Sequence, residues 1–213
     1  MAGGTWKTQN KARAGVYIVF ETTEQTMGTL GERGVVSLPL SLSWGPSKQV
    51  ITVEAGADTK DVLGYDVSAP ELLPLREALK RASKVLLYRL NAGTAATATN
   101  TTLTVTANHG GARGNDIRII VQNNIDDPAK FDVITLLAGE VMDTQIVAEI
   151  EELVANNWVN FSGTGAPDVT AGLNLTGGAD GTVTNGDHTD YLSKIEGYDF
   201  NTIGLLSIDV TLK

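Results

Sequence analysis

The 213-residue chain contains no cysteine. That absence excludes disulfides and thiolate metal sites, and it leaves cytosolic synthesis as the default expectation. Only two histidines occur, His109 and His188, far apart in sequence, so a zinc site has little to be built from. Aromatic content is 6%, low for a surface that stacks on sugars. No apolar run approaches the roughly 18 residues of a membrane span. The cations Lys7, Lys11 and Arg13 are not followed by the apolar core of a secretory signal. The G-x-S-x-G, G-x-x-x-x-G-K and G-x-G-x-x-G patterns are all absent. A hydrolase would have to recruit one of the two histidines.

Positive charge is also scarce in one region. Residues 116–190 hold 2 Lys/Arg against 13 Asp/Glu, a net of -11, whereas residues 1–115 hold 12 against 9, or +3; the remainder adds -1 to reach the total of -9. An acidic block of this strength repels phosphates and argues against a nucleic-acid partner. It reads as a solvated surface, with calcium or a basic partner as the minor alternatives.

What is present starts at the N-terminus. MAGGTWKTQNKARAG is polar and carries no acid before it runs into a short apolar strand, Val16, Tyr17, Ile18, Val19 and Phe20. The strand lies outside any evident hairpin. It is expected to pair with the sheet of a neighbouring subunit, because a lone strand offers unpaired amides and carbonyls to any free edge; the alternative is an internal strand that pairs within its own domain.

Further on, Gly34 to Ser43 and Gln49 to Glu54 read as strands. Val36, Leu38, Leu40 and Leu42 alternate with Ser37, Pro39, Ser41 and Ser43, the period of a half-buried strand. Pro39 places it at an edge or a bulge. Ser68 and Glu71 have capping-box spacing, although Pro74 moves the expected start of the regular helix to itself. Leu72, Leu75, Leu79 and Ala82 form the apolar face of that helix. Val85 to Leu90 is a mostly apolar strand suited to the centre of a helix-covered sheet.

Composition shifts at Asn91 and again near Thr176, where NLTGGADGTVTNGD is glycine-rich. Between the shifts the pattern is β-rich: Leu103, Val105 and Ala107 alternate with threonines, and Ile117 to Val121, Phe131 to Leu137 and Trp158 to Phe161 are strands. One helix is expected, capped by Asp143 or Thr144, with Ile146, Val147, Ile150, Leu153 and Val154 as its apolar face. A helix from His188 and a strand from Thr202 to Leu206 follow. A sheet whose last strand has no following helix looks unfinished, so the chain is expected to be a fragment or a shortened family member.

Candidate chemistry is thin. His109 sits beside Gly110-Gly111 in an expected turn, and His188 near Asp187 and Asp190 reads as helix capping. GGARGNDIR exposes glycine amides that could cradle phosphate, but it leads into a strand and no lysine follows, which favours a tight turn. DGTVTNGD (Asp180 to Asp187) is oxygen-rich but lacks the EF-hand register and its terminal glutamate. Asp126-Asp127 before Pro128 reads as a plain turn. The residues support no catalytic, cofactor or metal site.

Seven words in order resemble the tail sheath proteins of contractile phages, especially the PBSX-like defective-prophage type of the myovirus sheath family: MAGGTWKTQNKARAGVYIVFE, KVLLYRLNAG, GGARGNDIRI, FDVITLLAGEVMDTQ, FSGTG, LTGGADG and YDFNTIGLL. The resemblance implies an α+β or α/β fold and the N-terminal half of a sheath subunit. Residues 1–21 would be an exchanged arm, 22–92 the first part of a conserved α/β domain, 93–177 an outward-facing β-rich insert, and 178–213 the return into the conserved domain. It implies a structural subunit of a virion, assembled in the host bacterial cytoplasm, that polymerises around a tail tube and contracts to drive it through a bacterial envelope. The implied partners are other copies of itself, the tube protein, and baseplate and tail terminator proteins, with no nucleic acid and no membrane. Ala14-Gly15 departs from the proline-glycine common before the family's arm strand. The alternative reading is a stand-alone adhesin or carbohydrate-binding module on the β-rich part, using Trp158 and Tyr191.

Overall fold

Alternation of side chains across a central strand organises the first half of the chain. The computed structural model describes residues 34–206. Here β1 (Val35–Leu40), β2 (Val50–Glu54), the short helices α1 (Lys60–Leu63) and α2 (Leu73–Leu79), and β3 (Lys84–Arg89) follow in order. The seven strands β4 (Ala95–Thr99), β5 (Leu103–Gly110), β6 (Ile117–Asn123), β7 (Phe131–Leu137), β8 (Glu140–Val147), β9 (Val159–Gly163) and β10 (Thr170–Asn174) come next, then α3 (Asn185–Ile195) and β11 (Thr202–Ile203). The architecture is mixed α+β.

The first sheet has the order β11-β1-β3-β2, with β1 parallel to both neighbours and β2 antiparallel to β3. Val85 and Leu87 of β3 join a core with Leu63, Leu72 and Leu75, while Leu86, Tyr88 and Leu90 pack with Tyr191 and Ile195 of α3. Helices therefore cover both faces, which is why Val85 to Tyr88 run without a charged or small polar residue. The same two-sided cover corrects the half-buried expectation for β1. Ser37 is fully buried, and its hydroxyl bonds the Tyr191 hydroxyl at 2.5 Å.

Pro39 falls where it costs least. β11 registers only against Val36 and Ser37, so the side of β1 that Pro39 would serve has no ladder partner there among the described residues. The expected Ser68 cap does not form. A 3-10 turn, Pro70–Leu72, precedes α2, which starts at Leu73 and carries Pro74 in its first turn, where a missing N–H leaves no bond unmade.

The β-rich part builds two sheets, β4-β5-β9 and β10-β6-β7-β8, around Leu103, Val105, Ile117, Ile119, Val133 and Leu137. The expected helix after Asp143 is instead β8 followed by a 3-10 turn, Ile150–Glu152. Leu137 pairs with Glu140 across Ala138 and Gly139, whose φ values of 52° and 89° make the two-residue hairpin turn that matches strand twist. The β-branched Val141, Thr144, Ile146 and Val147 suit the returning strand. The apparent helical stripe was a coincidence of spacing: Ile146 and Val154 are 57% and 69% exposed. β10 had no sequence signature, since its pairing is bulged between Thr170 and Leu173.

A polar and aromatic knot ties the two parts together. Trp44, in the β1–β2 connection, is fully buried in the core of the β-rich part, 5.5 Å from Trp158 and edge-on to His109 at 5.2 Å. Gly64 adopts φ 76° against it, and a Cβ there would stand 2.7 Å from the indole. Arg89 is 1% exposed, and its guanidinium donates to the Gly45 and Gly110 carbonyls at 2.6 Å each. The Asn91 side chain both accepts from Leu42 N–H and donates to Leu42 C=O, at 2.9 Å each. Asp180 accepts from Ser43 Oγ at 2.8 Å and from Ala112 N–H at 2.9 Å.

Truncating Trp44 to alanine leaves a cavity at this knot. The expected loss is about 3–5 kcal/mol of stability, read by chemical denaturation. A loss under about 1 kcal/mol would mean the indole is not the tie described.

Candidate assembly surfaces

A protein that works by joining copies of itself needs backbone edges and side-chain faces left over after its own core is satisfied. The first sheet ends on β2. Its outer edge has no ladder partner among the described residues, and Thr52 and Glu54 are exposed. The other end is the two-residue β11, followed by Leu205 and Leu206 at 38% and 59% exposure. β8 is an edge of the β-rich part, likewise without a ladder partner on its outer side among the described residues. Its Gln145 folds back so that the side-chain amide accepts from Val154 N–H at 2.9 Å and donates to Val154 C=O at 2.8 Å. That pairing serves the backbone of Val154, after the 3-10 turn, rather than the outer edge of β8. The expected arm strand, Val16 to Phe20, lies outside the described residues.

GGARGNDIR is a 3-10 turn, Ala112–Asp116, linking β5 to β6. Its polar groups face the knot: Arg113 Nε donates to the Gly64 carbonyl at 3.1 Å and its guanidinium lies 4.5 Å over Tyr65. Asn115 brackets Gly178, donating to its carbonyl and accepting from its amide at 2.8 Å each. The glycines are there for close chain approach rather than for an anion. His109 stands near the end of β5 rather than in a turn. Burial, with Arg89 nearby, holds its imidazole below the usual range.

The run from Asp180 to Asp187 is likewise absorbed by the fold. Thr184 and Asp187 form the capping box of α3, so Asp187, rather than His188, is the capping residue. Asp187 also pairs with Lys48. Asp126 and Asp127 lie in the β6–β7 loop, where both amides donate to Asn124 Oδ1. No cluster of three or more metal-ligating side chains occurs among the described residues.

His188 lines a cleft of about 460 Å³ with Pro39, Leu40, Glu71, Pro74 and Leu90, at the ends of β1 and β3. Its Nδ1 is buried without a hydrogen-bond partner among the described residues, so no described hydroxyl is activated at that nitrogen.

The Lys48 ammonium, the Thr184 amide and the Thr184 hydroxyl together hold the Asp187 carboxyl at about 2, below the ordinary 3.8. A carboxyl with a depressed folded-state value contributes stability that is complete above about 4 and lost as pH falls through 2. Asp187→Asn is expected to cost about 1–2 kcal/mol at neutral pH. The difference from the parent should shrink steadily below pH 4, to a small fraction near pH 2, in acid-unfolding curves. A gap undiminished there would contradict the ionised cap.

Comparisons with known proteins identify the family. The model of the tail sheath protein Gp18 domain III N-terminal region matches residues 33–90, and that of the phage tail sheath protein beta-sandwich domain matches residues 91–180. In Bacillus subtilis (strain 168), the uncharacterized protein YqbK is 40% identical over 225 residues, covering 96% of this chain and 48% of YqbK. The phage-like element PBSX protein XkdK from the same strain is 39% identical, with the same two coverages. Among crystal structures, the sheath tail protein of Desulfitobacterium hafniense superposes with a TM-score of 0.83 at 55% identity, covering 93% of this chain and 47% of that one. The sheath tail protein of Listeria innocua gives 0.78 at 43%, covering 85% and 42%. The chain spans about half the length of the curated relatives it matches. With both sheath models matching in tandem along residues 33–180, and two solved sheath tail proteins sharing its fold, the chain belongs to the phage tail sheath protein family.

Proposed function

We propose that the chain works as a subunit of a contractile tail sheath, polymerising around a tail tube and driving that tube through a bacterial envelope when the polymer shortens. The tandem sheath matches over residues 33–180 carry this reading. The work is structural rather than catalytic. Both histidines are accounted for without a reaction: His109 stacks in the module knot, and His188 Nδ1 meets no described hydroxyl.

Residues 1–21 act as an arm, 22–92 and 178–213 form the shared α/β part, and 93–177 are an insert that faces outward. The strand Val16, Tyr17, Ile18, Val19 and Phe20 adds to a free sheet edge of a neighbouring subunit. β2 shows the kind of edge such an addition needs. Five residues supply a handful of backbone bonds at about 1 kcal/mol net each, together with burial of alternate side chains. The tube protein, baseplate and terminator proteins are the further partners. Assembly takes place in the host cytoplasm and the product is part of a virion.

Electron microscopy tests this on the chain joined to the remaining portion of its longer relatives, which it does not span. Tubular particles are expected from that protein, and none after deletion of residues 1–20. Normal cylinders from the deletion would remove the arm from the account. A second test concerns the acidic insert. Neutralising Asp126, Asp127, Glu151 and Glu152 should promote clumping of particles at low salt, seen by light scattering, because like charges keep surfaces apart. Unchanged scattering would count against an outward, charge-bearing insert.

A further inference from the structure

One face of the β-rich part is not used by its own core. On the β10-β6-β7-β8 sheet, the register sets out three rows on the side away from the core: Gln122, Asp132 and Ile146; Ile120, Ile134 and Thr144; Arg118, Leu136 and Val141. Alternation places these opposite the buried Ile119, Val121, Val133 and Leu137. Ile146 and Val141 are 57% and 59% exposed, and Ile120, Ile134 and Leu136 are half-buried. These five apolar side chains form a small field on one exposed sheet face, with polar residues at its ends.

The charges at its two ends identify the occupant. Arg118 sits in the last row with its side chain laid over Gly172, donating to the Ala171 carbonyl. It forms no ion pair among the described residues, whereas Lys130, the other cation of the acidic block, pairs with Asp127. Asp132 sits in the first row, oriented by Asn124 at 2.6 Å and Gln122 at 3.2 Å. We infer that this face takes a second copy of the chain, packed face to face about a two-fold axis that runs across the strands through the middle row.

Such an axis reverses the order of rows. It sets Ile134 and Ile120 against themselves and brings each Arg118 over the partner's first row, within reach of Asp132. The patch is therefore self-complementary in shape and charge, as an isologous contact requires. A two-fold axis along the strands would set Arg118 against Val141 instead, leaving both charges without partners. Rows about 6.8 Å apart and strands about 4.8 Å apart make the field roughly 14 by 10 Å, so the pair is weak and forms at high protein concentration. A closed pair does not propagate. It joins free chains and is separate from the arm contact that extends a polymer.

Analytical ultracentrifugation of the 213-residue protein, carrying Ile18→Pro to disable the arm strand, tests the pairing. A concentration-dependent dimer is expected. Arg118→Asp and Asp132→Arg should each weaken it roughly five- to tenfold, two exposed pairs being lost at once, and the double swap should restore it. Because the chain has no cysteine, Thr144→Cys in the middle row should be joined to its partner copy by a bismaleimide spanning about 10 Å, the separation of facing sheets, while Ser47→Cys, exposed but off the face, should not. A protein that stays monomeric at every concentration would overturn the inference, as would a double swap that fails to restore the dimer. Since the arm strand is disabled throughout, either failure would leave the sheath reading untouched.

Discussion

The whole arrangement depends on one indole entering another module's core. Trp44 leaves the β1–β2 connection of the α/β part and completes the packing of the β-rich part, where Trp158 and His109 close around it. Large aromatic burial of this kind contributes more than any single polar contact nearby. The surrounding hydrogen bonds then fix orientation. Arg89 satisfies two carbonyls, Asn91 holds both polar groups of Leu42, and Asp180 accepts from Ser43 of the β1–β2 connection and from Ala112 of the turn before β6. An arginine this buried is tolerable because its donors meet carbonyls that would otherwise lie unpaired.

That knot explains why the two composition shifts are not hinges. The chain crosses between the α/β part and the β-rich part near Asn91 and again near Asp180, and both crossings are stitched by the same few side chains. The bridges from Thr94 to Ala179 and from Thr97 to Thr176 run alongside, so the outgoing and returning segments form a short double-stranded bond between the parts. Small residues permit this proximity, and Gly93, Gly110 and Gly178 sit where any Cβ would strike neighbouring backbone. The glycine-rich words that look like linkers in sequence are closely packed in three dimensions.

Much of the fold was legible, and the failures have physical causes. β5 and β7 could be read because burial on one face writes directly into residue alternation, and β3 because burial on both faces leaves a continuous apolar run. The false helix after Asp143 arose because Ile146, Val147, Ile150 and Val154 repeat at helical spacing by chance. The Ala-Gly pair that turns the hairpin was the signal to weigh against it. Trp44 gave no warning: a single aromatic in a turn says nothing about which core it enters. The surface built from Arg118 and Asp132 was equally invisible, because strand register, which only the folded chain displays, brings these residues onto one face. Asp187 shows the converse: an oxygen-rich stretch that lacked the register of a calcium loop has its last carboxylate in the capping box of a helix.

Gln145 has a bearing on the segment that follows β8. By lending its carboxamide to Val154, it mimics the peptide group of an absent neighbour and spares that residue an unpaired amide and carbonyl. The loop after the 3-10 turn is thereby moored to the sheet it has just left, with no further strand needed to hold it.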